Sequence, residues 1–212
     1  MRKLQFTILF VFLFSFCSEK KQKQDGWVSL FDGKTLNGWK VGNNAESFSI
    51  ENGTIKVNGE VSHLYYDGDV MQHDFKNFEL KIDVMTTAGS NSGIYFHTKY
   101  QEGGWPQKGY EVQVNNSHTD WRRTGSLWAV DDVKETFVKD NEWFILHIKV
   151  KGKNISVSIN DKLVVDYTEP ENPQRDEGMK ERILSTGTFA LQGHDPRSTV
   201  YYKNIWVKVI PD

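Results

Sequence analysis

The chain has 212 residues and carries 26 Lys and Arg against 28 Asp and Glu, so its formal net charge is −2. This length suits one domain, with or without a tail. The balanced charge gives no electrostatic reason to expect a nucleic acid or an anionic membrane surface as a partner. Aromatic residues make up 13% of the chain, which fits an aromatic β-core or a surface on which sugars stack.

The N-terminus has the form of a secretory signal. Two basic residues precede an apolar run that ends at Cys17 and is too short to span a bilayer. This cysteine is the only one in the chain, and its position resembles the lipid-attachment site of bacterial lipoproteins, although such signals prefer a small residue where Phe16 stands. We expect a signal peptide over residues 1–16 and a lipid-attachment cysteine with a polar tether over 17–25. Plain secretion and a retained anchor are the alternatives to this periplasmic or cell-surface lipoprotein.

Residues 26–212 have the pattern of one β-domain. Short runs of alternating apolar and polar residues recur between Gly, Asn and Asp turns, which indicates an antiparallel sandwich or barrel. No long stretch has helical period, although RDEGMKERIL, from Arg175, predicts a short helix. The predicted strands lie in FELKIDVMT from Phe78, SGIYFHT from Ser92, GYEVQV from Gly109, WFILHIKVKGKNISVSIN from Trp143, INDKLVVDY from Ile159, TFALQGHD from Thr188 and NIWVKVI from Asn204.

The run GYEVQV divides its side chains between two faces, because successive residues of a strand point to opposite sides. Tyr110, Val112 and Val114 form an apolar row, whereas Glu111 and Gln113 belong to a polar row. That polar row is either a solvated outer face or the floor of a binding site.

Common catalytic motifs are absent from the sequence. It contains no His-Glu-x-x-His, no paired cysteines, no P-loop and no Gly-x-Ser-x-Gly. No spacing of Asp, Glu and His argues for a metal site, so no cofactor is indicated, and a divalent cation stays an open alternative.

Five segments carry a family resemblance. GWVSLFDGKTLNGWK, NFELKIDVMTTAGSNSGIYF, KGYEVQV, RRTGSLWAV and GTFALQGHDPRSTVYYKNIWVK follow one another over about residues 25–210. Together they resemble the 3-keto-disaccharide hydrolase family, long known as a domain of unknown function in secreted bacterial proteins. The resemblance implies a concanavalin-A-like jelly-roll sandwich that acts on oxidised sugars. Sugar oxidoreductases that make the ketone and reduce the product would then be pathway partners.

A ketone at carbon 3 of a glycoside acidifies the hydrogen on carbon 2. A base can therefore form an enolate that expels the group on carbon 1, unlike the paired-carboxylate route of ordinary glycosidases. Such a site needs a base, a donor to the enolate oxygen, an acid for the leaving group and hydrogen bonds to the hydroxyls. A non-catalytic carbohydrate-binding module on a cell-surface lipoprotein is the main alternative, and an adhesive surface domain is a third.

Glu111 is the first choice for the base, because burial would raise the pKa of its carboxyl toward the working pH. An exposed glutamate on a solvated face is the alternative. Gln113 shares the face and is predicted to bind a hydroxyl or the ketone, and Gln192 is also predicted to bind the substrate. His194 continues the polar row of Gln192 to the end of a strand and is the candidate acid or base, or else a turn histidine. Asp195 is interpreted as a loop cap rather than a partner that orients this histidine.

Five further side chains are candidates for substrate binding. Asn91 either contacts the sugar or occupies a left-handed turn position. His97 shares a strand face with Tyr95 and is predicted to bind the substrate. Trp105 either stacks on a pyranose or anchors its loop, and Lys108 could stabilise the enolate charge. Arg123 either lines the groove or is a solvated charge.

Overall fold

The computed structural model describes residues 25–212, so the predicted signal peptide, Cys17 and nearly all of the tether lie outside the described residues. Within this range the structure contains no helix long and apolar enough to cross a bilayer. Its thirteen strands are β1 Trp27–Ser29, β2 Trp39–Val41, β3 Phe48–Glu51, β4 Thr54–Val57, β5 Ser62–Tyr66, β6 Phe78–Thr86, β7 Ser92–Thr98, β8 Tyr110–Val114, β9 Phe144–Lys151, β10 Asn154–Ile159, β11 Lys162–Thr168, β12 Thr188–Gly193 and β13 Val200–Val209.

The strands form two antiparallel sheets that pack face to face. The eight-stranded sheet has the order β11-β10-β9-β6-β13-β4-β3, with β1 also paired to β13. The five-stranded sheet has the order β2-β5-β12-β7-β8. Some neighbours are consecutive hairpins, such as β9, β10 and β11, whereas others, such as β6 and β13 or β5 and β12, are far apart in sequence, as in a jelly roll. The predicted all-β sandwich is therefore confirmed.

Two tight turns agree with the sequence signals for hairpins. Gly152 has a φ of 59° at the turn between β9 and β10, where glycine meets no Cβ penalty. Asn160 and Asp161 have φ values of 46° and 65° at the turn between β10 and β11, as a type I′ hairpin requires of its two central residues.

The core lies between the sheets and follows the alternation read from the sequence. On β6, Phe78, Leu80, Ile82 and Val84 are fully buried, while the residues between them are partly exposed. The Phe78 ring centroid lies 4.9 Å from that of Phe189, on the opposite sheet. Burial of such side chains contributes about 1.5–3 kcal/mol each to folding.

The connection from β11 to β12, residues 169–187, is here named the arginine loop. The short helix predicted from Arg175 is wrong, because these residues form turns, with Gly178 in the left-handed region at a φ of 86°. Long-range hydrogen bonds fix the loop instead. Arg175 donates through Nη2 to the Tyr110 hydroxyl at 2.8 Å, and the Leu184 N–H donates to Glu169 at 3.0 Å. The loop is thereby held against the edge strand β8.

Strand register places polar side chains side by side on the outer face of the five-stranded sheet. Tyr95 lies opposite Glu111, and Gly93 lies opposite Gln113. Gln192, on β12, follows in the next strand of the sheet. The apolar residues between them face the core, so the polar row forms a separate, outward surface.

Candidate active site

A cavity of about 590 Å³ lies on this outward face. Its volume falls in the range of small-molecule sites, about 300–1,000 Å³. The polar row of the sheet forms the floor. The rims come from residues 99–109, named the tryptophan loop, from the arginine loop and from the segment around Trp128. Its lining includes Asn91, Tyr95, Gln101, Trp105, Gln107, Glu111, Gln113, Asp120, Trp128, Met179, Arg182, Gln192 and His194.

Glu111 is the buried carboxylate of the cavity floor, with only 5% of its surface exposed. The Tyr95 hydroxyl donates to its Oε2 at 2.8 Å, and the Gln192 Nε2 donates to its Oε1 at 2.9 Å. Burial raises the pKa of Glu111 above its ordinary value of 4.5, while the charge of Arg182 and the two hydrogen bonds oppose that rise. Glu111 is therefore a fixed carboxylate with an elevated pKa, as a general base requires.

Gly93 makes the room that this carboxylate occupies. A Cβ at this position would lie 2.4 Å from the Glu111 Oε1, which is closer than real contacts allow. The backbone of Gly93 is not in the left-handed region. Close approach of the acid, rather than backbone conformation, explains the glycine.

Two amides extend the floor beside Glu111. The Gln113 Nε2 donates to the Asn91 Oδ1 at 2.7 Å, and the Asn91 Nδ2 lies 3.3 Å from the His118 Nδ1. The left-handed position in this turn belongs to Gly89, with a φ of 73°, so the turn does not explain Asn91. Both amides line the cavity, where they can bind hydroxyl groups.

His194 stands at the rim with a carboxylate behind it. Its Nδ1 lies 2.8 Å from the Asp195 Oδ2, which leaves Nε2 for a ligand. Although partial burial opposes ionisation, the bonds from His194, the Arg197 N–H and the Ser198 hydroxyl lower the pKa of Asp195 to about 2. Asp195 does cap the loop, as expected, but it also orients the histidine. Both residues lie beyond Gly193, the last residue of β12, so the alternation of a strand does not direct their side chains to opposite sides.

Trp105 lies next to His194 at the rim of the cavity. It is 47% exposed, its ring centroid lies 5.4 Å from that of His194, and it packs edge-on against His63 at 5.8 Å. Burial, and then the charge of His194, lower the pKa of His63 to about 3, so this histidine is neutral packing beneath the tryptophan. Trp105 is thus both supported from below and exposed to the cavity.

The structure places His97 away from the cavity. A bulge at the end of β7 gives it a φ of 54°, which turns the side chain out of the polar row. Its Nε2 lies 2.9 Å from the Lys76 carbonyl, and its Nδ1 accepts from the Ser185 N–H at 3.2 Å. His97 therefore connects backbone segments and does not line this cavity, so the structure gives no support to its predicted role in substrate binding.

Lys108 and Arg123 are also directed elsewhere. The Lys108 Nζ donates to the Thr186 carbonyl and lines a separate cavity of about 290 Å³. The Arg123 Nη1 donates to the carbonyls of His118 and Asp120, both at 2.8 Å. Neither cation lines the cavity around Glu111, because both bind loop backbone, so the structure gives no support to their predicted ligand contacts.

Tyr95, Trp128 and Arg182 are cavity residues that the sequence did not single out for this site. Tyr95 lies opposite Glu111 in the pairing of β7 with β8 and therefore points to the same face. The alternation of its strand could have placed it in the site. Trp128 and Arg182 lie on connections between strands, where no period applies. Among residues 25–212, no group of three or more His, Cys, Asp and Glu side chains could hold a metal ion.

The elevated pKa of Glu111 makes a prediction about stability. A carboxyl whose pKa is raised by folding stabilises the protein below its unfolded pKa, and this contribution is lost as the pH rises through the folded pKa. Glu111→Gln is therefore expected to raise the Tm at about pH 8, with the gain shrinking toward about pH 4. Calorimetry of both proteins across this range measures the difference. A gain that is independent of pH would contradict the assignment of the buried charge.

Comparisons with known proteins agree with this fold and identify a family. Residues 26–208 match the model of the 3-keto-alpha-glucoside-1,2-lyase-like domain family. A curated 3-keto-disaccharide hydrolase of Bacteroides thetaiotaomicron is 31% identical over 172 residues, which cover 68% of this chain. The match covers 59% of that relative, so the chain spans less than two thirds of its length.

Solved structures share the sandwich. A candidate glycosyl hydrolase of Parabacteroides distasonis has a TM-score of 0.73 at 24% identity, covering 88% of this chain and 94% of that one. Carbohydrate-binding module CBM66 of Bacillus subtilis has a TM-score of 0.57 at 14% identity, covering 81% and 95%. At these identities the two structures establish the fold alone. The family match extends over nearly all of the described residues, and the chain belongs to the 3-keto-alpha-glucoside-1,2-lyase-like domain family.

Proposed function

We propose that the protein cleaves 3-keto-glycosides by removing the proton on carbon 2 and eliminating the group on carbon 1. The observation that carries this proposal is the state of Glu111. It is a buried carboxylate with an elevated pKa, held by two neutral donors on the floor of a cavity that His194 also lines. Family membership and the name of the curated relative support the same substrate class.

The proposed reaction starts with proton transfer to Glu111. The electron pair of the carbon–hydrogen bond forms a double bond between carbons 2 and 3, and the ketone oxygen becomes an enolate oxygen. The enolate then expels the oxygen on carbon 1, and His194 gives that oxygen a proton. Water adds to carbon 1 of the resulting enone while carbon 2 regains a proton. The net change is hydrolysis of the glycosidic bond.

We propose that the side-chain amides of the cavity bind the sugar hydroxyls and that Trp105 stacks on the sugar ring. The Gln192 Nε2 is engaged by Glu111, while its buried Oε1 has no hydrogen-bond partner among residues 25–212. A buried carbonyl oxygen without a partner is costly, so a substrate hydroxyl that donates to it would be favoured. Gln113 and Asn91 supply further polar groups, and the exposed Trp105 ring offers a face for a pyranose.

A carbohydrate-binding module is the second candidate function. The exposed Trp105 and the structural likeness to CBM66 favour it. Such a module needs an open platform and no buried carboxylate, whereas this cavity encloses an acid that costs stability when ionised. We therefore place catalysis first.

Incubation of the wild-type protein with nitrophenyl glucosides tests the proposal. Release of nitrophenol is expected from the 3-keto-glucoside and not from the unoxidised glucoside, because only the ketone acidifies carbon 2. In deuterated water, deuterium is expected at carbon 2 of the product. Turnover without deuterium would overturn the elimination route, and binding without any turnover would favour the module.

Gly93→Ala is expected to lower kcat for this substrate by about 10²-fold, since its Cβ would displace the Glu111 carboxylate. The same change at Gly193, where the nearest atoms to a Cβ are 3.4 Å away, is the matched control and is expected to retain most activity. Steady-state kinetics and thermal unfolding separate a displaced acid from a misfolded protein. Equal losses in the two variants would contradict the role of Gly93.

Export of the protein with a lipid on Cys17 is also a proposal. It is tested by fatty-acid labelling in cells, with Cys17→Ser as the unlabelled control. Oxidoreductases that make the ketone and reduce the product stay a prediction, as does a divalent cation that assists the ketone.

A further inference from the structure

Arg182 brings a guanidinium group to the cavity wall that the steps above leave without a role. The side chain is 7% exposed and lies on the arginine loop. Its Nη1 donates to the Trp128 carbonyl at 3.0 Å, and its guanidinium carbon lies 4.8 Å from the centroid of the Trp128 ring. The Arg175 Nε also donates to the Arg182 carbonyl at 2.8 Å, which fixes the backbone. The guanidinium is therefore held in place before any ligand binds.

The other edge of this guanidinium has unused donors. Nε is buried and has no hydrogen-bond partner within residues 25–212. In the same range the one hydrogen bond from the guanidinium is that of Nη1 to Trp128. A buried arginine N–H without a partner favours an oxygen ligand, and Nε with Nη2 forms the edge of the guanidinium that suits one.

Trp128 connects this arginine to the proposed base. Its N–H donates to the Glu111 carbonyl at 3.0 Å, while its own carbonyl accepts from Arg182. Arg182 acts on the Glu111 carboxyl through its charge, whereas Tyr95 and Gln192 bond to it directly. Among residues 25–212 no ion pair joins Arg182 to Glu111, so the guanidinium is not committed to this carboxylate.

We propose that Arg182 binds the 3-keto oxygen of the substrate and stabilises the negative charge that this oxygen gains when Glu111 takes the carbon-2 proton. This inference rests on the proposed function. The base must reach the hydrogen on carbon 2, and the donor must reach the oxygen on carbon 3 of the same sugar. Glu111 and Arg182 line the same cavity, as this requires. Lys108, the cation that the sequence suggested for this role, is bound to the Thr186 carbonyl and lines the other cavity.

Arg182→Ala tests the inference on the nitrophenyl 3-keto-glucoside. Removal of one donor to a developing oxyanion is expected to lower kcat by about 10²–10³-fold, with a much smaller change in KM. Guanidinium chloride at non-denaturing concentration is expected to restore part of kcat. Arg182→Lys keeps the positive charge but loses the paired N–H donors, so its kcat is expected to lie between those of the wild type and Arg182→Ala. Arg122→Lys is the matched control, because Arg122 also lies on the Trp128 ring, at 4.7 Å, but does not line the cavity.

The outcomes separate this inference from the proposed function. If wild type releases nitrophenol while Arg182→Lys and Arg182→Ala keep full kcat, the role of Arg182 is overturned and the elimination mechanism stands. A loss confined to KM would likewise overturn it, since that marks binding of the ground state alone. A wild-type protein that leaves the ketone substrate intact would overturn both.

Discussion

Glu111→Gln is expected to lower kcat for 3-keto-glycosides by about 10²–10⁴-fold, the contribution of a positioned general base. Glutamine keeps the shape of the side chain and can still bond to Tyr95 and Gln192, but it cannot take the carbon-2 proton. Nitrophenol release and the rate of deuterium incorporation at carbon 2 both measure the loss.

Glu79→Gln is the matched control for this substitution. Glu79 lies on β6 of the other sheet, where it bonds to His147 at 2.9 Å, so its conversion to an amide is expected to leave kcat unchanged. Because Glu111→Gln is also expected to gain stability at neutral pH, poor folding would not account for its inactivity. Full activity of the variant would remove Glu111 as the base.

His194→Phe is expected to affect substrates according to their leaving group. A sugar alkoxide is a poor leaving group that needs a proton, so kcat for a 3-keto-disaccharide is expected to fall by about 10²-fold or more. Nitrophenolate leaves without protonation, so its release is expected to change little. Rates for the two substrates, measured on one preparation of the variant, give the comparison.

The nitrophenyl substrate serves as the internal control for folding in this experiment. His147→Phe, on the eight-stranded sheet, is expected to leave both rates unchanged. If His194→Phe loses kcat equally on both substrates, the histidine acts before the leaving group departs. That result would contradict its role as the acid.

The floor of the site follows from sequence periodicity. The alternation in GYEVQV separates Tyr110 and Val112, which pack in the core, from Glu111 and Gln113, which line the cavity. This prediction works because a regular strand leaves each side chain only one of two directions. The catalytic and binding roles of these residues stay predictions until kinetics tests them.

The rims could not be predicted in the same way. His97 departs from the alternation because a bulge reverses its direction, and a bulge has no clear mark in a single sequence. Arg182 and Trp128 reach the cavity from connections whose course depends on tertiary hydrogen bonds, such as that of Arg175 to Tyr110. Charge alone therefore favoured Lys108 and Arg123, which the fold uses for loop backbone.

The division between a sheet-built floor and loop-built rims has an evolutionary consequence. Glu111, the proposed base, lies on paired strands, where insertions would disrupt the ladder, while Trp105 lies on a connection that tolerates changes in length. If the proposed proton abstraction by Glu111 is correct, relatives are expected to differ in the leaving group that they accept and to share this step. Grafting a foreign 99–109 segment onto this scaffold would be the natural route to a new linkage preference.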